Sequence, residues 1–137
     1  MIDKSVTESI IGCAMRVHSA LGPGLLESVY EKALAYELKK SGFIVEVQKG
    51  IPVMYDGISL DEGFKADIIV NGKIIIELKS VKKIEDIHLK QLLTYLKLAN
   101  IKLGLLINFN EVLLKNGIKR IINDLSALSE SSARGKE

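Results

Sequence analysis

Cysteine, histidine and long apolar runs are all scarce in this sequence, and each scarcity closes off a class of protein. Cys13 is the single cysteine, which excludes an internal disulfide. Flanked by apolar residues in a helix-like stretch, it reads as a buried structural thiol rather than a nucleophile. His18 and His88 are the two histidines, and no short ligand spacing joins them to each other or to Cys13, so there is no zinc signature. No apolar run approaches the roughly 18 residues of a membrane helix. Met1, Ile2, Asp3 and Lys4 lack the basic-then-apolar layout of a signal peptide. The expectation is a cytoplasmic protein with no membrane partner. Charge of one sign is lacking too. A formal net charge of +2 is too small to point to nucleic acid, so only the distribution of charge can speak for it.

What remains is a globular composition, 47% hydrophobic and 26% charged, in 137 residues. That length suffices for one core and is too short for two ordinary domains. A single domain is expected over 1–125, with the Ser-rich, charged stretch 126–137 as a frayed tail. Val6, Ile10, Cys13, Ala14 and Val17 recur at helical spacing, which predicts an amphipathic helix over 4–20. Leu21, Gly22, Pro23 and Gly24 end it. Pro23 can open a second helix, where its missing N–H costs nothing, and this helix runs to about Lys40 with Ser41-Gly42 as its stop.

From Phe43 to Val70 the period falls towards two, with turns at Asp56-Gly57 and then Asn71-Gly72, predicting a three-stranded antiparallel meander. A helix starting near Glu85 or Asp86 carries Ile87, Leu89, Leu92, Leu93 and Leu96. Leu103 to Phe109 reads as a buried strand, and Ile118 to Ile122 as a last short one. The third and fourth strands would flank a crossover helix. The fold class is α/β (α+β), a mixed four- to five-stranded sheet flanked by helices.

On the strand from Lys73 to Lys79, Glu77 and Lys79 are two apart and share a face, while Ile74, Ile76 and Leu78 point the other way. Whether Asp67 joins them depends on the turn. A two-residue Asn71-Gly72 loop would pair Val70 with Lys73 and set Asp67 opposite Ile76, on the wrong face. A three-residue loop with Gly72 in a left-handed bulge would pair Ile69 with Lys73 and turn Asp67 towards Glu77. Only the second arrangement lets Ala66, Ile68 and Val70 share a face with Ile74, Ile76 and Leu78, so the bulged turn is predicted. Carboxylates on neighbouring strands can hold Mg²⁺ and leave coordination sites for water and phosphate. A nearby lysine can orient the water or offset charge growing on the phosphate. A solvated strand face would carry the same residue types. Spacing alone does not separate the two readings, although central strands seldom carry two charges without a use for them.

In the second helix Glu27 and Tyr30 are three apart and hence neighbours on one face. Glu27 is either an acid facing the site, ready to bind metal directly or through water, or an ordinary first-turn Glu complementing the helix dipole. His88, Gln91 and Tyr95 form a polar stripe beside the Leu92, Leu93, Leu96 face, able to touch a phosphate backbone or simply to line a half-exposed edge. His18, near the end of the first helix, can hang over the site or cap that helix, and the cap is the expectation. Lys82 and Lys83 follow Lys79 directly and could begin a phosphate-binding rim. Glu27 and Gln91 are expected on the same sheet face.

These residues resemble the GxxExxY family of the PD-(D/E)XK nuclease superfamily. The matching stretches are Val17 to Leu34 (VHSALGPGLLESVYEKAL), Phe64 to Ser80 (FKADIIVNGKIIIELKS), Gln91 to Leu98 (QLLTYLKL), and GLLINF with LLKNGIKRI near the end. The resemblance implies a restriction-endonuclease-like core, with Glu27 as the helix acid, Asp67 and Glu77 as metal ligands and Lys79 as the catalytic lysine. Gln91 and Tyr95 match the Q-x-x-x-Y element of the exonuclease-like branch. Ala66 stands where the superfamily name has proline. The implied activity is Mg²⁺- or Mn²⁺-dependent hydrolysis of nucleic acid, DNA ahead of RNA, with Tyr30, Gln91, Tyr95, Lys82 and Lys83 towards substrate. The competing reading is a catalytically silent module of the same fold that binds nucleic acid or a protein. A chain this small has no visible DNA-reading domain, so any sequence specificity would come from dimerisation or a partner, and a homodimer is expected.

Overall fold

The computed structural model describes residues 4–124, so the expected tail lies outside the described residues. The first helix, α1, is Lys4–Leu21 and buries Thr7, Ile10, Cys13, Ala14 and Val17, the stripe expected from its spacing. The second, α2, is Glu27–Lys40. Pro23 therefore does not open it. Gly22 and Gly24 have φ of 73° and 97°, and a right-handed helix cannot pass through two left-handed residues, so the chain turns before Glu27. Tyr30, Leu34 and Leu38, four apart, are its fully buried stripe.

Strand β1 is Val45–Tyr55 and β2 is Ile58–Val70. Asp56 and Gly57, at φ 52° and 76°, form the expected two-residue turn, with Tyr55 facing Ile58. Strand β3 is Ile74–Lys79, α3 is Asp86–Ala99, β4 is Leu103–Asn108 and β5 is Ile118–Ile122, with a short 3-10 turn Leu114–Gly117 between the last two. The sheet order is β1-β2-β3-β4-β5, with β3 and β4 parallel and every other neighbour antiparallel. It is a mixed five-stranded sheet of the α+β class, as expected. Among the described residues no helix is long and apolar enough to cross a membrane.

The two helix layers cover opposite faces. Residues of α1 and α2 pack with Ile68, Val70, Ile74, Ile76, Leu78, Leu103, Leu105 and Ile107. Leu92 and Leu96 of α3 pack with Ile69, Ile75, Leu106 and Ala66. The β3-α3-β4 crossover thus carries α3 to the side away from α2, and Glu27 and Gln91 do not share a sheet face.

The turn after β2 keeps the predicted face with a different register. Asn71 and Gly72 are both left-handed, at φ 54° and 65°, the Lys73 N–H donates to Val70 O at 2.9 Å, and Val70 faces Ile74. The loop has three residues, Asn71 to Lys73, and the expected pairing of Ile69 with Lys73 gives way to one shifted by two. An even shift leaves every side chain on the same face.

A second departure is larger. The β1–β2 ladder pairs Val47 with Ile68 and Lys49 with Ala66, but not Gln48 with Asp67. Val45 packs on the α1/α2 side and Ile51 on the α3 side, although residues an even number apart in a regular strand share a face. Ile68 and Ala66 are divided in the same way, so Ala66 does not join Ile68 and Val70. Gln48, at φ 51°, is the left-handed residue at which β1 reverses. Such a conformation costs a non-glycine residue on the order of 1 kcal/mol or more.

Candidate active site

The acids meet where β2 parts from β3. The ladder between these strands runs from Val70–Ile74 to Ile68–Ile76 and then stops. At the next position side chains replace the backbone rung. The Asp67 N–H donates to Glu77 Oε2 at 3.0 Å, and the Leu78 N–H donates to Asp67 Oδ2 at 2.9 Å. Asp67 thus turns towards Glu77, as the apolar pattern predicted.

Glu77 is 8% exposed. Burial, with the charges of Asp67 and Glu27 adding to it, pushes its carboxyl up to about 8, against a smaller opposing pull from the Asp67 N–H and Lys79. Its surroundings hold more negative charge than Lys79 offsets. Lys79, half-buried at the end of β3, pairs in the ladder with Asn108 of β4. The fully buried Asn108 side chain accepts from Val81 N and donates to Val81 O, at 3.1 and 2.9 Å, which fixes the chain just beyond Lys79.

From the α2 side, Glu27 opens the helix and its Oε2 accepts the Ser80 N–H at 3.4 Å, while Ser80 Oγ donates to Leu25 O at 2.7 Å. Two further residues belong to the cluster and escaped the sequence reading. Glu31, one turn after Glu27, accepts from Gln48 Nε2 at 2.5 Å, and the same nitrogen donates to Asp67 Oδ1 at 3.1 Å. Burial raises the Glu31 carboxyl first, Gln48 opposes that rise, and Asp67 and Glu27 add to it. The i, i+4 spacing from Glu27 could have found Glu31. Nothing in the sequence marks a left-handed Gln48.

Tyr95 also reaches the site electrostatically. Burial raises its hydroxyl, then the charges of Glu77 and Asp67 do so, and its ring stacks on Phe64 with centroids 3.8 Å apart. Gln91 is exposed one turn earlier on α3, and Lys82 and Lys83 are exposed in the segment between β3 and α3.

Other candidates are placed elsewhere. Tyr30 is fully buried, stacks on Phe109 at 4.5 Å, and ties the loop before α2 by donating to Gly22 O at 2.6 Å and accepting from Leu25 N at 3.0 Å. It is a core residue and cannot touch a substrate. His88 Nδ1 accepts the Glu85 N–H at 3.0 Å, half of the capping box that starts α3, so its ring is taken up by the helix's own start. His18 Nε2 lies 2.7 Å from Glu111 O and joins the end of α1 to the loop after β4, rather than capping its own helix.

The donor set suits a hard divalent cation, since it is made of carboxylate oxygens with excess negative charge. Among the described residues, however, no three Asp, Glu, His or Cys side chains stand close enough together to hold an ion as they are. Asp67 and Glu77 form the converged pair, and Glu27 stands further out.

A family model described as the PD-(D/E)XK nuclease superfamily matches residues 4–121. No curated protein matches the chain. Among solved structures, the crystal structure of LHK-Exo in complex with dAMP is similar over 93% of this chain and 87% of that one, at 14% identity and a TM-score of 0.46.

Proposed function

Because the chain belongs to the PD-(D/E)XK nuclease superfamily, we propose that it hydrolyses phosphodiester bonds in nucleic acid, DNA ahead of RNA, at the acid pair between β2 and β3. The GxxExxY pattern of Gly24, Glu27 and Tyr30 supports assigning it to the family of that name within the superfamily. The observation that carries the reading is the meeting of Asp67 and Glu77 at a break in the ladder, with Glu77 raised to about 8 by burial and by its neighbours' charge. A buried acid left undercompensated beside a second, half-buried one is costly to folding, and an oxygen-preferring cation removes that cost.

Asp67 and Glu77 would hold Mg²⁺ or Mn²⁺, with Glu27 assisting through water. Such an ion supplies Lewis acidity at the phosphate and a more acidic water. Lys79 shares the face of Glu77 and can orient the attacking water as its oxygen bonds to phosphorus and the P–O bond to the leaving sugar oxygen breaks. Its ammonium can also offset the charge gathering on the phosphate oxygens. Tyr95, exposed Gln91, Lys82 and Lys83 would lie along the substrate, and a homodimer would contribute sequence specificity. The test is cleavage of labelled single- and double-stranded substrates with Mg²⁺ or Mn²⁺ by wild type, Asp67→Ala and Lys79→Ala. Activity surviving both substitutions rules the mechanism out.

A second reading, a silent module that binds nucleic acid or a protein, has one observation in its favour. The site carboxylates are engaged by backbone N–H groups of the chain itself, and no three acids converge among the described residues. Nucleic-acid binding with no Mn²⁺ binding at millimolar concentration would establish that reading instead.

A further inference from the structure

Gln48 sits opposite Asp67 at a missing rung of the β1–β2 ladder, in a left-handed conformation that only special positions in a strand adopt. We infer that Gln48 is a positioning residue whose side-chain amide pins Asp67 and Glu31 in one arrangement, an inference that rests on the nuclease reading above.

The geometry is specific to this residue. Its neighbours Val47 and Lys49 are held in the ladder with Ile68 and Ala66. Gln48 is out of the ladder, and its Nε2 lies between two carboxylates from different elements, Glu31 of α2 and Asp67 of β2. An amide NH₂ has two hydrogens, so each acid can take one. Asp67 is then fixed through both oxygens, Oδ1 by Gln48 and Oδ2 by the Leu78 N–H. An ammonium in this place would neutralise the acids it held. The uncharged amide fixes their separation and leaves their negative field available to a cation. The left-handed backbone that aims this amide also reverses the faces of β1, so the hairpin's reversal and the setting of Asp67 share one residue.

The test uses Gln48→Gly and Gln48→Met in the full chain. Both lack the amide; glycine accepts the left-handed backbone, and methionine keeps the side-chain length. Mn²⁺ affinity is measured by calorimetry, kcat and KM on labelled DNA, and thermal midpoints by calorimetric scanning. Both variants are expected to bind Mn²⁺ roughly tenfold more weakly and to lose roughly tenfold in kcat, as loss of a group orienting a ligand does. KM should stay within about twofold, and the glycine variant's midpoint should match or exceed the wild type's. A glycine variant with Mn²⁺ affinity and kcat both within about twofold of wild type overturns the inference. If wild-type protein neither binds Mn²⁺ nor cuts, the nuclease reading fails, and the clamp is judged without metal or substrate. A thermal double-mutant cycle of Gln48→Gly with Asp67→Ala should then be non-additive by about a degree or more, and additivity overturns the clamp.

Discussion

The two strand pairs on either side of the acid site are built in opposite ways. β3 and β4 run parallel through six unbroken rungs from Ile74–Leu103 to Lys79–Asn108, and almost every side chain on them is buried. β1 and β2 form a longer ribbon that skips a rung at Gln48 and Asp67 and exchanges its faces there. The regular pair is all apolar packing apart from Glu77, Lys79 and Asn108. At the missing rung of the irregular pair the Gln48 side-chain amide donates to the Asp67 carboxylate, and the Asp67 N–H turns to Glu77 on β3 instead. Apolar packing and irregularity are thus divided between neighbouring strands, with Glu77 on the packed pair and Asp67 on the broken one.

The division can be broken from either side. Asp67→Ala should lower kcat by about a thousandfold or more, the scale of losing a group that stabilises charge in a transition state. It should change the thermal midpoint little, because the lost bonds to Leu78 and Gln48 are offset by relief of Glu77. Ile76→Ala, in the fully buried centre of β3, should do the reverse. Loss of that side chain should cost about 2–5 kcal/mol in denaturant unfolding. At temperatures where it remains folded, kcat should stay within about twofold of wild type. A large kcat loss in Ile76→Ala, or a large stability loss in Asp67→Ala, would show that the two strand pairs are not separable in this way.

The regular pair was legible in the sequence and the irregular pair only in part. A strict period of two through Ile74, Ile76 and Leu78 fixes the face of Glu77 and Lys79, because alternation is the geometry of an unbroken strand. The same logic put Asp67 on the correct face, since the true hairpin register differs from the expected one by two and an even shift preserves faces. It failed for Ala66, because the reversal at Gln48 comes from a left-handed glutamine that carries no glycine or proline signal. Tyr30 was misplaced for a different reason. Its spacing from Glu27 points to the polar face, while its i, i+4 stripe with Leu34 and Leu38 marks it as core.

Glu77→Gln tests the junction between the two pairs through pH. An acid whose folded value lies above its unfolded one holds its proton more tightly when folded. Its ionisation therefore costs nothing below about pH 4.5, costs progressively more as pH rises, and costs most above about 8. Glutamine keeps an oxygen for the Asp67 N–H and removes the charge. In metal-free protein Glu77→Gln should stabilise by a few kcal/mol at pH 9, and by little near pH 4.5. Saturating Mn²⁺ should raise the wild-type midpoint at pH 8, by the equivalent of about 3 kcal/mol at a hundredfold excess over Kd, and that of Glu77→Gln far less. A stability gain equal at both pH values would mean that burial of the side chain, and not its charge, is what the site pays for.

Tyr30→Phe has the smallest expected effect and separates a core tyrosine from one that meets a substrate. The hydroxyl donates to Gly22 O and accepts from Leu25 N, bridging the two ends of the loop that delivers Glu27 to α2. Phenylalanine keeps the stack on Phe109 and loses both bonds, which should cost about 1–3 kcal/mol because the Gly22 carbonyl and Leu25 amide lose a partner. If the hydroxyl only ties the loop, KM for DNA is unchanged and any fall in kcat is small, since Ser80 still holds Leu25 and Glu27 from the other side. A rise in KM with stability unchanged would place the hydroxyl on the substrate after all, and would require the loop before Glu27 to open when nucleic acid binds.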